Sequence, residues 1–474
     1  MQTTKFFFMA ALALMTVACS NDDNDIQTPA EQPAKSEGIP FTATISIGES
    51  ASTRALDEDT GNKKIVATWE TGEKVALIYT AGSTPAITNA TVTKQTDGTA
   101  TISTELEAGA TNGSDVTIIY PAIVVDPTTR DVVANLLAAQ DGTLTGTGGT
   151  SIAEKYDVRK GTGKLSISDG KATVNNGTAG TPVSLTNQNA IFKLTLKDID
   201  ATADVSATSV IISDQTGKVT TVTPASGYEK AMYVALPTTA TTLKFLVTGS
   251  DSKKYFNMAS SLTLSASYYQ STIELATVGH VIASNGKCYK DDAATPGGNT
   301  AVAKIVYLGD DAETSPTNTA FKNGLALALE DISGTKTWCS QYSATCLGTG
   351  HQFDSEAGAK GDMAGIDNTD YLIDHAPAGH THAAASAAKG YNSGTHPAGT
   401  SAWFLPSAGQ WDKMFTAASG YANLKTNVDL QGGTSYWSST EFSSSIAWYF
   451  YSNSGYWSFE DKGRGYQVRA CLAF

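Results

Sequence analysis

A chain of 474 residues with 41% apolar side chains has material for two or three domains with buried cores. Charged residues are sparse at 16%, and 46 Asp and Glu against 32 Lys and Arg leave a formal charge of -14. An acidic, cation-poor surface argues against nucleic acid and anionic membrane as direct ligands, and beyond the N-terminal segment no run of about eighteen apolar residues predicts a spanning helix.

In chain order, Lys5 precedes an apolar run from Phe6 to Ala18 that is too short to span a bilayer but fits a secretory signal. It ends in Val17-Ala18-Cys19, and a small residue directly before cysteine is what a lipoprotein signal peptidase requires. Residues 1–18 are therefore expected to be removed and Cys19 to carry lipid. Segment 19–39, with Asp22, Asp23, Asp25, Pro29 and Pro33, has almost nothing to bury and predicts an acidic, flexible tether. The acidic cluster after Cys19 resembles the tag that sends some Gram-negative lipoproteins to the outer face of the outer membrane, which implies a surface-exposed, lipid-anchored protein.

From Ile39 to about Leu275, short alternating runs such as Phe41–Ile47, Lys74–Tyr79 and Phe192–Leu196 predict strands at the spacing of β-sandwiches. Asp131 to Ala139 is the best helix candidate there. The Gly/Ser/Asn/Lys-rich stretch from Lys160 to Asn176 predicts a divide, giving β-sandwich domains over 40–167 and 168–277. After His280 the texture changes: six of the seven Trp and all six His lie between His280 and the C-terminus. Asn318 to Ile332 predicts an amphipathic helix with Phe321, Leu325, Ala328 and Leu329 on one face. Ser407-Ala408-Gly409-Gln410 predicts a capping box opening a second helix, with Trp411, Met414 and Phe415 buried. The last forty or so residues return to aromatic strands, so 278–474 reads as an α+β domain.

Two resemblances rest on these segments. Ala67-Thr68-Trp69-Glu70-Thr71-Gly72-Glu73-Lys74-Val75-Ala76-Leu77 resembles the tryptophan–glycine hairpin of the fimbrillin family of bacterial surface pilins and pilus accessory proteins. Ala190–Leu194 resembles the opening strand of that family's second domain, and Leu262–Tyr269 with Ser271–Leu275 its closing strand. In the last third, Gly286-Lys287-Cys288-Tyr289, Ala303–Gly309, Trp403–Ser407, Tyr436–Glu441 and Val468-Arg469-Ala470 resemble the C-type-lectin-like "major paralogous" domain of bacterial surface lipoproteins. There Trp403, Leu405 and Trp437 are expected in the core, and Glu441 is expected to pair with Arg469.

The fimbrillin resemblance implies maturation by an arginine-specific protease after the first strand, leaving a groove that a neighbouring subunit's strand fills. Ser52-Thr53-Arg54-Ala55 stands in the corresponding place, with Arg54 the only arginine before Arg130. The expected partners are other pilin subunits by strand donation and a glycan or host-surface protein. Polymerising subunits would end near residue 277, so the appended domain implies a tip subunit of a fimbrium with a lectin-like adhesive head. The alternative is a lipid-anchored surface protein that binds glycan or host protein without polymerising.

Four cysteines remain if Cys19 is lipidated, an even number that predicts disulfides in an exported chain. The favoured pairing is Cys339–Cys346 as a local loop and Cys288–Cys471 across the domain. His351, His375, His380, His382 and His396, with Asp362, Asp367 and Asp370, lack regular ligand spacing, so no metal and no cofactor beyond the lipid on Cys19 is expected. Calcium-dependent sugar-binding motifs are missing. Trp448, Tyr456 and Trp457 sit on adjacent aromatic strands and are candidate ligand-stacking residues. No nucleophile elbow or phosphate loop occurs, and an enzyme is not expected.

Overall fold

The computed structural model describes residues 37–47, 57–59, 64–66, 69–146, 150–176, 180–200, 203–291, 297–315, 317–341, 345–348, 351–376 and 378–474. It is mainly β. The first part contains β1 (Ile39–Ile47), the short hairpin β2 (Asp57–Asp59) and β3 (Lys64–Val66), β4 (Lys74–Ala81), β5 (Thr84–Lys94), β6 (Ala100–Leu106) and β7 (Asp115–Tyr120). The short strands β8 (Val125–Asp126), β9 (Asp131–Val132) and β10 (Ala139–Gln140) precede β11 (Arg159–Ser168), β12 (Lys171–Asn175) and β13 (Val183–Asn187). Hydrogen bonds run in the order β1-β6-β5-β4-β7-β11, and β11 pairs with both β12 and β13, each of which returns to β1. This sheet closes on itself through β1, where two facing sheets were expected. Side chains alternate along β1, so Phe41, Ala43 and Ile45 enter the core beside Trp69, Leu77 and Ile118 while Thr42 and Thr44 face out.

Two expectations fail here for local reasons. Lys160–Asn176 is not a linker but the β11–β12 hairpin. Its glycines mark close approach: a Cβ on Gly161 would stand 2.5 Å from the Leu185 side chain, and one on Gly163 2.4 Å from that of Val174. The first sheet consequently extends to Asn187, twenty residues past the expected boundary at 167. Asp131–Ala139 is no α-helix, because Asn135 is left-handed (φ 59°) and allows only one 3-10 turn, Leu136–Ala138, between β9 and β10.

The second part pairs two sheets over one core. One has the order β10-β16-β15-β18-β19, formed with β15 (Ala207–Asp214), β16 (Gly217–Val222), β18 (Leu243–Gly249) and β19 (Lys254–Ala259). The other has β14 (Asn189–Asp198) between β17 (Ala231–Pro237) and β20 (Tyr268–Leu275), with β14 and β20 parallel over eight pairs.

The third part begins with β21 (Val281–Ala283), β22 (Cys288–Tyr289), β23 (Ala301–Leu308), β24 (Gly324–Ala328) and β25 (Lys336–Thr337). Helices α1 (Glu356–Gly361), α2 (Gly365–Asp374), α3 (Ala383–Lys389), α4 (Ala408–Ala417) and α5 (Tyr421–Val428) come next. Strands β26 (Ser435–Glu441), β27 (Ile446–Tyr451), β28 (Tyr456–Asp461), β29 (Gly465–Tyr466) and β30 (Cys471–Ala473) complete the chain. The main sheet, β22-β21-β23-β24-β30, seats the last strand two places from β23, so the end of the domain returns to its beginning. β26, β27 and β28 form a second antiparallel sheet.

The expected helix at Asn318–Ile332 instead holds the interior strand β24, every residue of which is buried. Flanked by β23 and β30, Gly-Leu-Ala-Leu-Ala needs apolar side chains on both faces, and the usual strand alternation is lost. The expected helix at Ser407 is α4. Ser407 Oγ accepts from the Gln410 N–H at 3.3 Å, Gln410 Oε1 accepts from the Ser407 N–H at 3.0 Å, and Trp411 and Met414 are fully buried.

Candidate functional site

β1 is held on both sides. Seven residue pairs join it antiparallel to β6 (Ile39↔Leu106 to Ile45↔Ala100), and three join it in parallel to β13 (Ile45↔Val183 to Ile47↔Leu185). Phe41 and Ile45 are at most 1% exposed. Taking β1 away would leave two unpaired edges flanking an apolar groove. The expected processing residues Arg54 and Ala55, and the expected lipidation site Cys19, lie outside the described residues. Trp69 packs edge-on against Tyr120, with ring centroids 5.5 Å apart, in this same core. Gly72, at φ 102°, donates to Val92 O across the turn that enters β4.

In the third part the candidate aromatics separate. Trp448 and Trp457 are buried, at 3% and 6% exposure, among Trp411, Phe415 and Phe450, and Trp448 Nε1 donates to Phe353 O at 2.8 Å. They are core residues, contrary to the expectation that they meet a ligand. Tyr456 is 66% exposed and stands directly across the strand pair from Tyr451, at 36%. Alternation explains the outcome: Trp448, Phe450 and Trp457 share the inward face of the β27–β28 hairpin, Tyr451 and Tyr456 the outward one. Of the three candidates only Tyr456 is exposed, and its cross-strand neighbour Tyr451 was not among them.

The expected Glu441–Arg469 pair is also corrected. Glu441 forms a fully buried ion pair with Lys462 and accepts the backbone N–H groups of Cys346 (2.8 Å) and Leu347 (2.9 Å). Arg469 pairs with Asp331 at 2.6 Å.

Cys288 and Cys471 lie in β22 and β30, the two edges of the five-stranded sheet. Three intervening strands put them roughly 19 Å apart at the usual strand spacing, beyond the ~7 Å Cα limit for a disulfide. Both are buried free thiols, and burial pushes Cys288 up to about 12. Cys339 and Cys346 do meet, with Sγ atoms 3.8 Å apart and no disulfide between them. Cys346 donates to Cys339, and this bond holds the Cys339 thiol below the usual range despite its burial. His380 joins them, its Nδ1 3.5 Å from Cys339 Sγ.

The remaining histidines and aspartates scatter. His375 stacks on Tyr371, and His396 binds Thr400 Oγ1. Buried Asp362 takes bonds from Thr440, Asn368 and Ala364, Asp367 accepts from Asn318, and Asp370 pairs with Lys389.

No family model matches the sequence. No curated protein matches it either. Among solved structures, a fimbrial protein from Bacteroides ovatus is 15% identical and aligns over 92% of this chain and 99% of its own, with a TM-score of 0.34. A candidate cell adhesion protein from Bacteroides fragilis is 14% identical over 49% of this chain and 92% of its own (TM-score 0.29). Another, from Bacteroides uniformis, is 14% identical over 52% and 98% (TM-score 0.28). At these scores the likeness carries no argument, and the functional reading rests on this chain's own residues.

Proposed function

We propose that the chain is a cell-surface adhesive subunit of fimbrillin type, delivered as a lipoprotein on Cys19 and matured by cleavage between Arg54 and Ala55. The observation that carries this is the double pairing of β1. It closes a sheet, contributes only about three inward side chains to the core, and leads directly into the segment bearing Arg54. Its release would open a groove shaped for a donated strand, a polymerisation bond made of backbone hydrogen bonds and alternate side-chain pockets. The course of the chain beyond β20 favours a tip position. Ala276 is buried and bridges to Phe256, and the chain continues into the third part, so no C-terminal donor strand is free at residue 277.

The third part is the adhesive head in this reading, and the Tyr451–Tyr456 pair is its stacking platform for a sugar ring or a protein anchor. The uncut chain, with β1 closing its sheet, would be the lipid-tethered form that binds without polymerising. Protein recovered from surface filaments should begin at Ala55. Recovery only as a chain beginning at lipidated Cys19, never with filaments, would overturn the pilus reading. A glycan array probed with the full chain and with Tyr456→Ala tests the head, and equal binding by both would remove the platform.

A further inference from the structure

Cys339, Cys346 and His380 form the one group of at least three metal-capable side chains found among the described residues, their donor atoms all within 4.8 Å of one another. We propose that these three bind one zinc ion through two thiolates and His380 Nδ1, leaving a fourth position for water or an external ligand. The separations fit. With Zn–S of about 2.3 Å and Zn–N of about 2.0–2.1 Å at tetrahedral angles, two sulfurs stand about 3.8 Å apart and sulfur and nitrogen about 3.6 Å. The sulfurs here are 3.8 Å apart, and Cys339 Sγ is 3.5 Å from His380 Nδ1.

The donors are held in place by contacts that need no metal. Ser340 and Thr381, each next to a ligand, exchange two hydrogen bonds of 2.9 Å, from Ser340 N–H to Thr381 O and from Thr381 N–H to Ser340 Oγ. Cys339 N–H donates to Lys462 O at 3.1 Å. The Cys346 turn is fixed from below by Glu441, whose carboxylate takes two consecutive backbone N–H groups. Such outer contacts set ligand direction before the ion arrives.

Charge also balances. Zinc displaces both thiol protons to solvent, and Zn2+ with two thiolates and a neutral imidazole carries none. The buried Lys462–Glu441 pair beside it is neutral too, with Lys462 Nζ 3.7 Å from Cys346 Sγ. Cys339 and Cys346 are 0% and 3% exposed, whereas His380 is partly open to solvent.

The test uses the full chain isolated without reductant or chelator. Elemental analysis should give one zinc per chain. Exchange with Co2+ should produce the intense thiolate-to-cobalt absorption and the strong visible bands of tetrahedral coordination. His380→Gln changes a partly exposed side chain and should leave the fold intact while weakening Zn2+ binding more than about tenfold. Cys346→Ser should abolish most of the thiolate-to-cobalt band. A metal-free chain whose mass is lower by two hydrogens, the signature of a Cys339–Cys346 bridge, would overturn the proposal. So would a folded His380→Gln variant with unaltered Zn2+ affinity.

Discussion

The buried cation Arg469 shows what a single residue contributes. Arg469 is 1% exposed and has every branch of its fork engaged: Nε on Asp331 at 2.6 Å, Nη1 on Ala328 O at 2.8 Å and Nη2 on Asp429 O at 3.1 Å. It ties the exit of β24 to the turn after α5. Removing one partner of a buried pair strands the other, at a cost of roughly 3–5 kcal/mol. Arg469→Met is expected to lose that much in urea unfolding of the full chain, and Arg469→Lys to regain less than half, because an ammonium cannot span three acceptors set for a planar fork. A loss under about 1 kcal/mol would mean the pair contributes little. The sequence marks Glu441 and Arg469 as charges inside aromatic, apolar runs, and both are buried. Their partners were not legible, since Asp331 stood in an expected helix and Lys462 among the mixed charges of residues 460–464. The Cys–His cluster was missed for a related reason: His380 comes 34 residues after Cys346, and tertiary contacts such as Ser340–Thr381 and Trp338–His382 bring the two loops together.

Among elements, those with a local signal were readable and those defined by neighbours were not. α4 announces itself through its capping box and through Trp411, Met414 and Phe415 on one face. Ser407 Oγ also donates to Asp362 O at 2.6 Å. Ser407→Ala is therefore expected to cost about 1–2 kcal/mol, the upper range for an N-cap, read as a lowered thermal midpoint with unchanged far-UV circular dichroism at low temperature. β24 gives no such signal. Its apolar run fits a helical face as well as a strand buried on both sides, and its pairing with β23 and with β30, where Ala326 meets Leu472 arriving from 146 residues later, decides the matter. Gly324 records that arrival, since a Cβ there would lie 2.5 Å from the Phe474 ring and 2.6 Å from Tyr307 O. Gly324→Ala should destabilise the domain by about 1–3 kcal/mol through overpacking. An unchanged urea midpoint would show that Phe474 moves aside freely. Glycines read as linker signals, such as Gly161 and Gly163, misled for the same reason: close approach and chain flexibility leave the same letter in the sequence.

At the scale of the whole molecule, the second and third parts are not beads on a string. Leu246, Phe256, Met258 and Ala276 belong to one apolar cluster with Ile305, Trp403 and Phe474, and the Phe256 and Phe474 rings lie 4.4 Å apart. Across this junction the buried Lys244 of β18 donates to Ala320 O at 2.5 Å and sits 4.7 Å over the Phe321 ring. Burial lowers Lys244 to about 7, against a partial restoring effect of Asp214; a solvated lysine titrates near about 10.4. The sign comes from proton counting. Between those two values the unfolded chain holds a proton that the folded chain has released, so stability rises with pH across the window. Below about pH 7 both states are protonated, and the cost of burying the charge is fully present. From about pH 7 to about pH 10 the gain attributable to Lys244 should be on the order of a few kcal/mol. Lys244→Met keeps the apolar stem and removes the charge, so its urea midpoint should exceed that of the parent chain near pH 7, and the difference should shrink towards pH 10. Parallel pH profiles for the two chains would show that Lys244 keeps its proton on folding, stabilised by Ala320, Phe321 and Asp214 strongly enough to offset its burial.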